Sequence, residues 1–171
     1  MYTLGPDVGT LTVRTGKTGA AAKAGHNLLI EVTAWNASVA LRDAPTIELT
    51  VDSRSLRVRE GTGGIQALGD EEKEAIRETI DEEVLKGTPI AFRAAAGSFT
   101  DGELRLDGEL TLSGRTRPIT VSIVVGEDGR LTGSARFKQS DWGMKPYSAL
   151  FGTLKVADEV EIAIDAQLPA A

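Results

Sequence analysis

The chain contains one histidine and no cysteine, which bounds the chemistry its side chains could perform. His26, in Ala24-Gly25-His26-Asn27-Leu28, is the group an acid–base mechanism would need, because imidazole changes charge near neutral pH. Two readings stand side by side: a general base or lone ligand, and a hydrogen-bonded structural histidine where a strand begins. With no second histidine and no thiol, thiolate zinc, metal centres of two or three histidines, iron–sulfur clusters, cysteine nucleophiles and the HExxH arrangement are excluded. No catalytic residue, metal ligand or cofactor is predicted. Gly16-Lys17-Thr18 ends like a phosphate loop, but Leu11 occupies the place of that loop's first glycine. Gly61-Thr62-Gly63 has Gln66 where a dinucleotide fingerprint needs its third glycine, and no G-x-S-x-G elbow is present.

A different chemistry is concentrated between Phe137 and Phe151, where Trp142, Met144 and Tyr147 also fall. Indole offers a large apolar face with one polar atom, and methionine adapts to irregular apolar shapes. That combination suits the mouth of an apolar binding site, or a tryptophan plugging the end of a core. The formal net charge of −6 argues against binding to nucleic acid or to anionic lipid surfaces. No apolar run reaches the roughly 18 residues of a spanning helix, so no stable membrane anchor is expected. With no basic n-region and no apolar h-region at Met1-Tyr2-Thr3-Leu4-Gly5-Pro6-Asp7, the sequence predicts no signal peptide and a cytoplasmic location.

The elements that must position these residues are mostly strands. Leu104, Leu106, Leu110 and Leu112 share one parity, and Glu103, Arg105, Asp107, Glu109 and Thr111 the other. The same alternation runs through Leu28–Val32, Ile47–Val51, Ile119–Val125 and Val160–Ile164. One dry and one wet face is the pattern of an antiparallel sheet. Asp101-Gly102 and Asp128-Gly129 read as type I′ hairpin turns, and Gly114–Pro118 as a connection into the next strand. Gly108 falls mid-alternation, which predicts an inward glycine beside a bulge or a close-packed neighbour. From Asp70 to Leu85 the pattern changes: Ile76, Ile80 and Val84 are four apart, acids fill the first turn, and Gly87 and Pro89 follow. That is one amphipathic helix with Asp70 as its N-cap. Gly19–Ala24 is a weaker, short helical segment. At 171 residues the chain is read as one domain, 1–171, of about eight strands. A closed barrel is favoured, with a sandwich nearly as good on periodicity. An eight-stranded barrel is filled by side chains or holds one small ligand.

Several segments resemble the YceI-like family, in that family's order and over roughly residues 2–168. Gly108-Glu-Leu-Thr-Leu-Ser-Gly-Arg-Thr-Arg-Pro-Ile-Thr-Val-Ser-Ile123 is similar to its G-x-L-T-I-x-G-V-T-R-P-V-T-L signature. Val51-Asp52-Ser53-Arg54-Ser55-Leu56 and Gly87-Thr88-Pro89-Ile90-Ala91-Phe92 resemble its V-D-x-x-S-L and Y-P-x-I-x-F segments. Phe137-x-x-Ser140-Asp141-Trp142-Gly143-Met144 resembles its late F-x-x-x-R-S-D-F-G-M stretch, with Trp142 where phenylalanine is common. Asp70–Leu85 is more acidic than the family's R-D-x-H-L region. The resemblance implies a lipocalin-like antiparallel β-barrel whose apolar interior binds isoprenoid or other lipid chains, with no catalytic residues, and looks like a cytoplasmic branch of that family. Parity and the family pattern together place Phe92, Leu104, Leu106, Leu110, Val121, Ile123, Phe137, Trp142, Met144 and Phe151 on the inner wall, with His26 beside them. Three readings of function follow: a non-enzymatic carrier of such a chain, an enzyme using His26 inside the barrel, and a packed interaction module, for instance a homodimer through a sheet edge.

Overall fold

The computed structural model describes residues 1–18, 26–63, 68–149 and 154–170. The Gly19–Ala24 segment and Phe151 therefore lie outside the described residues. Twelve strands form one antiparallel sheet: β1 (Tyr2–Leu4), β2 (Gly9–Thr18), β3 (Asn27–Val32), β4 (Trp35–Ala40), β5 (Thr46–Val51), β6 (Leu56–Thr62), β7 (Ile90–Thr100), β8 (Glu103–Leu112), β9 (Arg115–Val125), β10 (Arg130–Lys138), β11 (Ser148–Ala149) and β12 (Leu154–Gln167). Between β6 and β7 the chain forms α1 (Asp70–Thr79), which continues as π-helical turns over Ile80–Leu85.

The sheet closes on itself through one bent hairpin. Only Thr33 and Ala34 separate β3 from β4, and Asp52–Ser55 separate β5 from β6. β3 pairs with β6 while β4 pairs with β5, so the four segments are two long arms bent at mid-length. The first arm pairs with β2 and the second with β7. From β7 the ladder runs through β8, β9, β10 and β12 back to β2. The ring has eight staves; the strand count exceeds eight because two staves are broken by bends and because β1 and β11 add to β4 and β12. The Asp52–Ser55 segment makes the bend. Thr33 donates its backbone N–H and its hydroxyl to Ser55 O, both at 2.8 Å. Asp52 N–H donates to Ala34 O, and the Ser55 hydroxyl to Asp52 O. Ser53 and Ser55 are buried there, and the hydroxyls of Thr33 and Ser55 satisfy backbone groups that the broken ladder leaves open.

Turn chemistry is partly as expected. Asp101 and Gly102 are both left-handed (φ 51° and 80°), a two-residue I′ turn between β7 and β8. At Asp128-Gly129 the hairpin is present but the turn differs. Gly126 N–H donates to Arg130 O and Gly129 N–H to Gly126 O, and Gly129 but not Asp128 is left-handed. This is a longer loop closed by a glycine bulge. The β8–β9 connection is only Ser113-Gly114, again both left-handed. Arg115–Pro118 already belongs to β9, where Pro118 faces Glu109 on β8 while β10 pairs only with Ser122–Val125. A proline is tolerated because its other side carries no ladder bond. The helix spans 70–85 as expected, but its N-cap is Gly69 and Asp70 is its first residue. Lys86 and Gly87, both left-handed, end it.

Gly108 is inward, as its parity predicts. A methyl group there would stand 2.5 Å from Arg93 O, 2.7 Å from Ala94 Cβ and 2.8 Å from Phe92 Cε2. The register shift of the β7–β8 pair lies opposite, between Ala94 and Ala96. On the wet face, register partners carry the charges: Arg136 pairs with Glu161 and Arg93 with Glu109. Exposed pairs of this kind contribute ~0–1 kcal/mol each, so they specify which face is outside more than they stabilise it.

Candidate functional site

The dry face encloses a cavity of about 540 Å³ in one half of the barrel. Its wall is built from the inward positions that alternation assigns. β2 supplies Leu11, Val13 and Thr15, β3 supplies Leu28, Ile30 and Val32, and β12 supplies Val160 and Ile162. The remaining wall is helical. β6 pairs only with β3, and β7 with β5 and β8, so α1 and its π-helical extension cover the interval that no ladder spans. Ile76, Ile80 and Val84 face the cavity there, with Ala75 and Thr79 beside them. Their spacing of four puts all three on one face. Polar groups are few: Thr15, Lys17, His26, Thr79, Gln139 and Tyr147 line it, and among the described residues no Asp or Glu does.

A 3₁₀ turn, Gln139–Trp142, closes part of the rim. It is held by the irregular middle of β12, where the β2 register shifts between Val156 and Val160. Ser140 donates its backbone N–H to Asp158 Oδ1 at 2.8 Å and its hydroxyl to Oδ2. Gln139 donates to Ala157 O at 3.2 Å. The Ser140 hydroxyl, and then its N–H, hold the Asp158 carboxyl below the usual aspartate range, since both stabilise its charged form. Trp142 is buried behind the wall. Its indole N–H donates to Leu110 O at 2.9 Å, and its ring meets Phe137 edge-on with centroids 4.9 Å apart.

The residues singled out by sequence fall into three places. Phe92, Leu110, Phe137, Met144 and His26 line the large cavity. Val121 and Ile123, with Phe92 and Leu110 again, line a second apolar space of about 90 Å³ nearer the far end of the barrel. Leu104 and Leu106 are inward but fully buried, and Trp142 is buried; none of the three lines either space. Not singled out for the site were the helix residues Ile76, Ile80 and Val84 and the β2–β3 residues. The helix signal was present as an apolar stripe, but a stripe at that spacing marks any core-facing helix. Among the described residues no cluster of His, Asp or Glu could hold a metal ion, and no helix is long and apolar enough to cross a membrane.

A closed antiparallel barrel with a helix in its wall and an apolar interior space defines a lipocalin-like barrel. More narrowly, residues 8–168 match the model of the YceI-like domain, and the chain belongs to that family, a polyisoprenoid- and lipid-binding barrel fold. Among solved structures it is similar to Burkholderia cenocepacia BcnA (TM-score 0.64, 17% identity, 94% of this chain and 96% of that one). It is also similar to a Campylobacter jejuni YCEI protein (TM-score 0.58, 12% identity, 83% and 85%). At these identities the likeness concerns the fold alone. No curated protein matches the chain.

Proposed function

We propose that this protein is a non-enzymatic binding or carrier protein for a single apolar chain, isoprenoid or other lipid, held inside the barrel. The observation that carries this reading is the cavity of about 540 Å³, within the ~300–1,000 Å³ range of small-molecule sites. Each methylene withdrawn from water contributes about 0.8 kcal/mol, so a long chain can offset the cost of its own ordering. Phe92, Leu110, Phe137 and Met144 are the proposed contacts among the residues first singled out, joined by Ile76, Ile80 and Val84. His26 and Lys17 lie among the few polar lining groups, where the polar end of an amphiphile would sit. A packed module without ligand is disfavoured by the same cavity, since close-packed interiors leave few voids larger than a water molecule.

The test is native mass spectrometry of never-denatured protein, followed by organic extraction and addition of prenyl and acyl chains to any apo fraction. A discrete adduct that extracts as a prenyl chain, quinone or fatty acid is expected. A clean apo mass that no added chain changes would overturn the reading in favour of the interaction module.

A further inference from the structure

The two interior spaces share one ring of wall residues: Leu11, Leu49, Phe92, Leu110 and Ile162. Leu49, Phe92 and Leu110 are direct register partners across β5, β7 and β8, so they form one course of the barrel. Leu11 and Ile162 lie on the paired strands β2 and β12, where Leu11 faces Ile164 and Ile162 faces Val13, so they flank the same level one inward position apart. Along each stave the order is the same. Val51 and Ile90 lie on the large-cavity side of this course, and Ile47 on the other. On β12, Val160 lines the large space and Ile164 the small one. The spaces are therefore stacked along the barrel axis, with the shared course as the partition between them.

Phe92 is the one aromatic of that ring. Its Cε2 lies 2.8 Å from where a Gly108 methyl would stand, and Gly108 is one inward position beyond Leu110 toward the small space. The ring therefore leans toward the small space, in room that only a glycine leaves. Resting on the binding reading above, we infer that Phe92 is a specificity-determining residue: its ring is the floor of the large chamber and sets the longest chain the barrel accepts. At roughly 30 Å³ per water-sized group, a methylene being of similar size, the large chamber of about 540 Å³ takes about eighteen groups. The space of about 90 Å³ beneath would add about three on the same measure, beyond the volume the ring itself vacates.

The experiment is a chain-length series of straight fatty acids, from about ten to about twenty-four carbons around the eighteen-group estimate, bound to delipidated protein and read by displacement of a fluorescent apolar dye. Wild type should bind most tightly near the middle of the series and lose affinity for longer chains. Phe92→Ala should move the optimum at least about four carbons longer, as the merged volume requires. Adding Ala135→Leu, which fills the small space from β10, should move it back. Phe92→Leu is the milder variant should the alanine variant fail to fold, with a shift of the same sign. An unchanged optimum in a folded Phe92 variant, or one that Ala135→Leu does not reverse, overturns the ruler while leaving the binding function standing. No binding of any chain by wild type overturns the binding reading and the ruler with it.

Discussion

The two ends of this barrel are lined by the same residue types and differ in what they enclose. At one end Leu4, Leu104, Leu106 and Leu131 are at most 1% exposed, and the interior keeps only the space of about 90 Å³. At the other, Leu28, Ile30 and Val32 on β3 and Ile80 on the π-helical turn stand around open space. The difference lies in the wall. At the narrow end β1 adds to β4, and the wall is made of strands about 4.8 Å apart. At the open end β6 and β7 do not pair, and a helix ~10 Å across with its side chains replaces the missing ladder. A wider wall element spreads the staves beyond what leucine and valine can fill. Amphipathic patterning chooses which residues point inward, and element geometry decides whether they meet.

Charge at the narrow end should break the molecule. Ile123 is 2% exposed, and Ile123→Asp places an unpaired carboxylate where desolvation costs several kcal/mol. Loss of the folded circular dichroism signal is expected, as for Val121→Asp. Native melting in both would place that face outside the barrel. Truncation should sharpen the contrast. Leu106→Ala is expected to cost about 2–5 kcal/mol in urea unfolding, the range for a close-packed leucine, whereas Leu28→Ala beside an existing void should cost about 1 kcal/mol more than its lost transfer energy at most. Equal losses would mean that the large chamber is filled in solution. Smaller still is the helical wall. Ile80→Asp should cost about 1–2 kcal/mol yet abolish chain binding, because the wall detaches while the eight staves stay paired; retained binding would remove α1 from the site. Trp142→Phe removes the hydrogen bond to Leu110 O and should cost ~1 kcal/mol, with Phe137 loosened at the rim. The smallest effect is expected at Asp158. Its folded carboxyl titrates below the ordinary value of 3.8, so its stabilising contribution is present above that value and is lost as pH falls through the lower folded one. The gap between wild type and Asp158→Asn should be constant at neutral pH and close only in strong acid. A gap that closes near neutrality would contradict the Ser140–Asp158 contact.

Most of the wall was legible in the sequence wherever large apolar residues alternate with charges, as in Leu104–Leu112 and Val160–Ile164. β4 was not, because Trp35, Ala37 and Val39 alternate with Asn36 and Ser38, small residues with weak contrast. The bend at Asp52–Ser55 left only a short polar signature, and its meaning emerged once both long arms were paired. Parity told Leu106 and Leu110 alike that they point inward. It could not tell a filled course from an open one, since that depends on partners far away in sequence. The helix face was legible as a stripe, and its role as cavity wall was not, because nothing local records that β6 and β7 fail to pair.

The pairing of β2 with β12 has a consequence in time. Gln167 N–H donates to Val8 O, and Leu11 faces Ile164 across the same ladder, so the ring is sealed by residues more than 150 positions apart. During synthesis β2 has only β3 beside it and β10 only β9 until β12 emerges from the ribosome. Such distant pairing is slow to form, and two unsatisfied strand edges wait open meanwhile. Enclosure of any cargo is therefore an event of the finished chain.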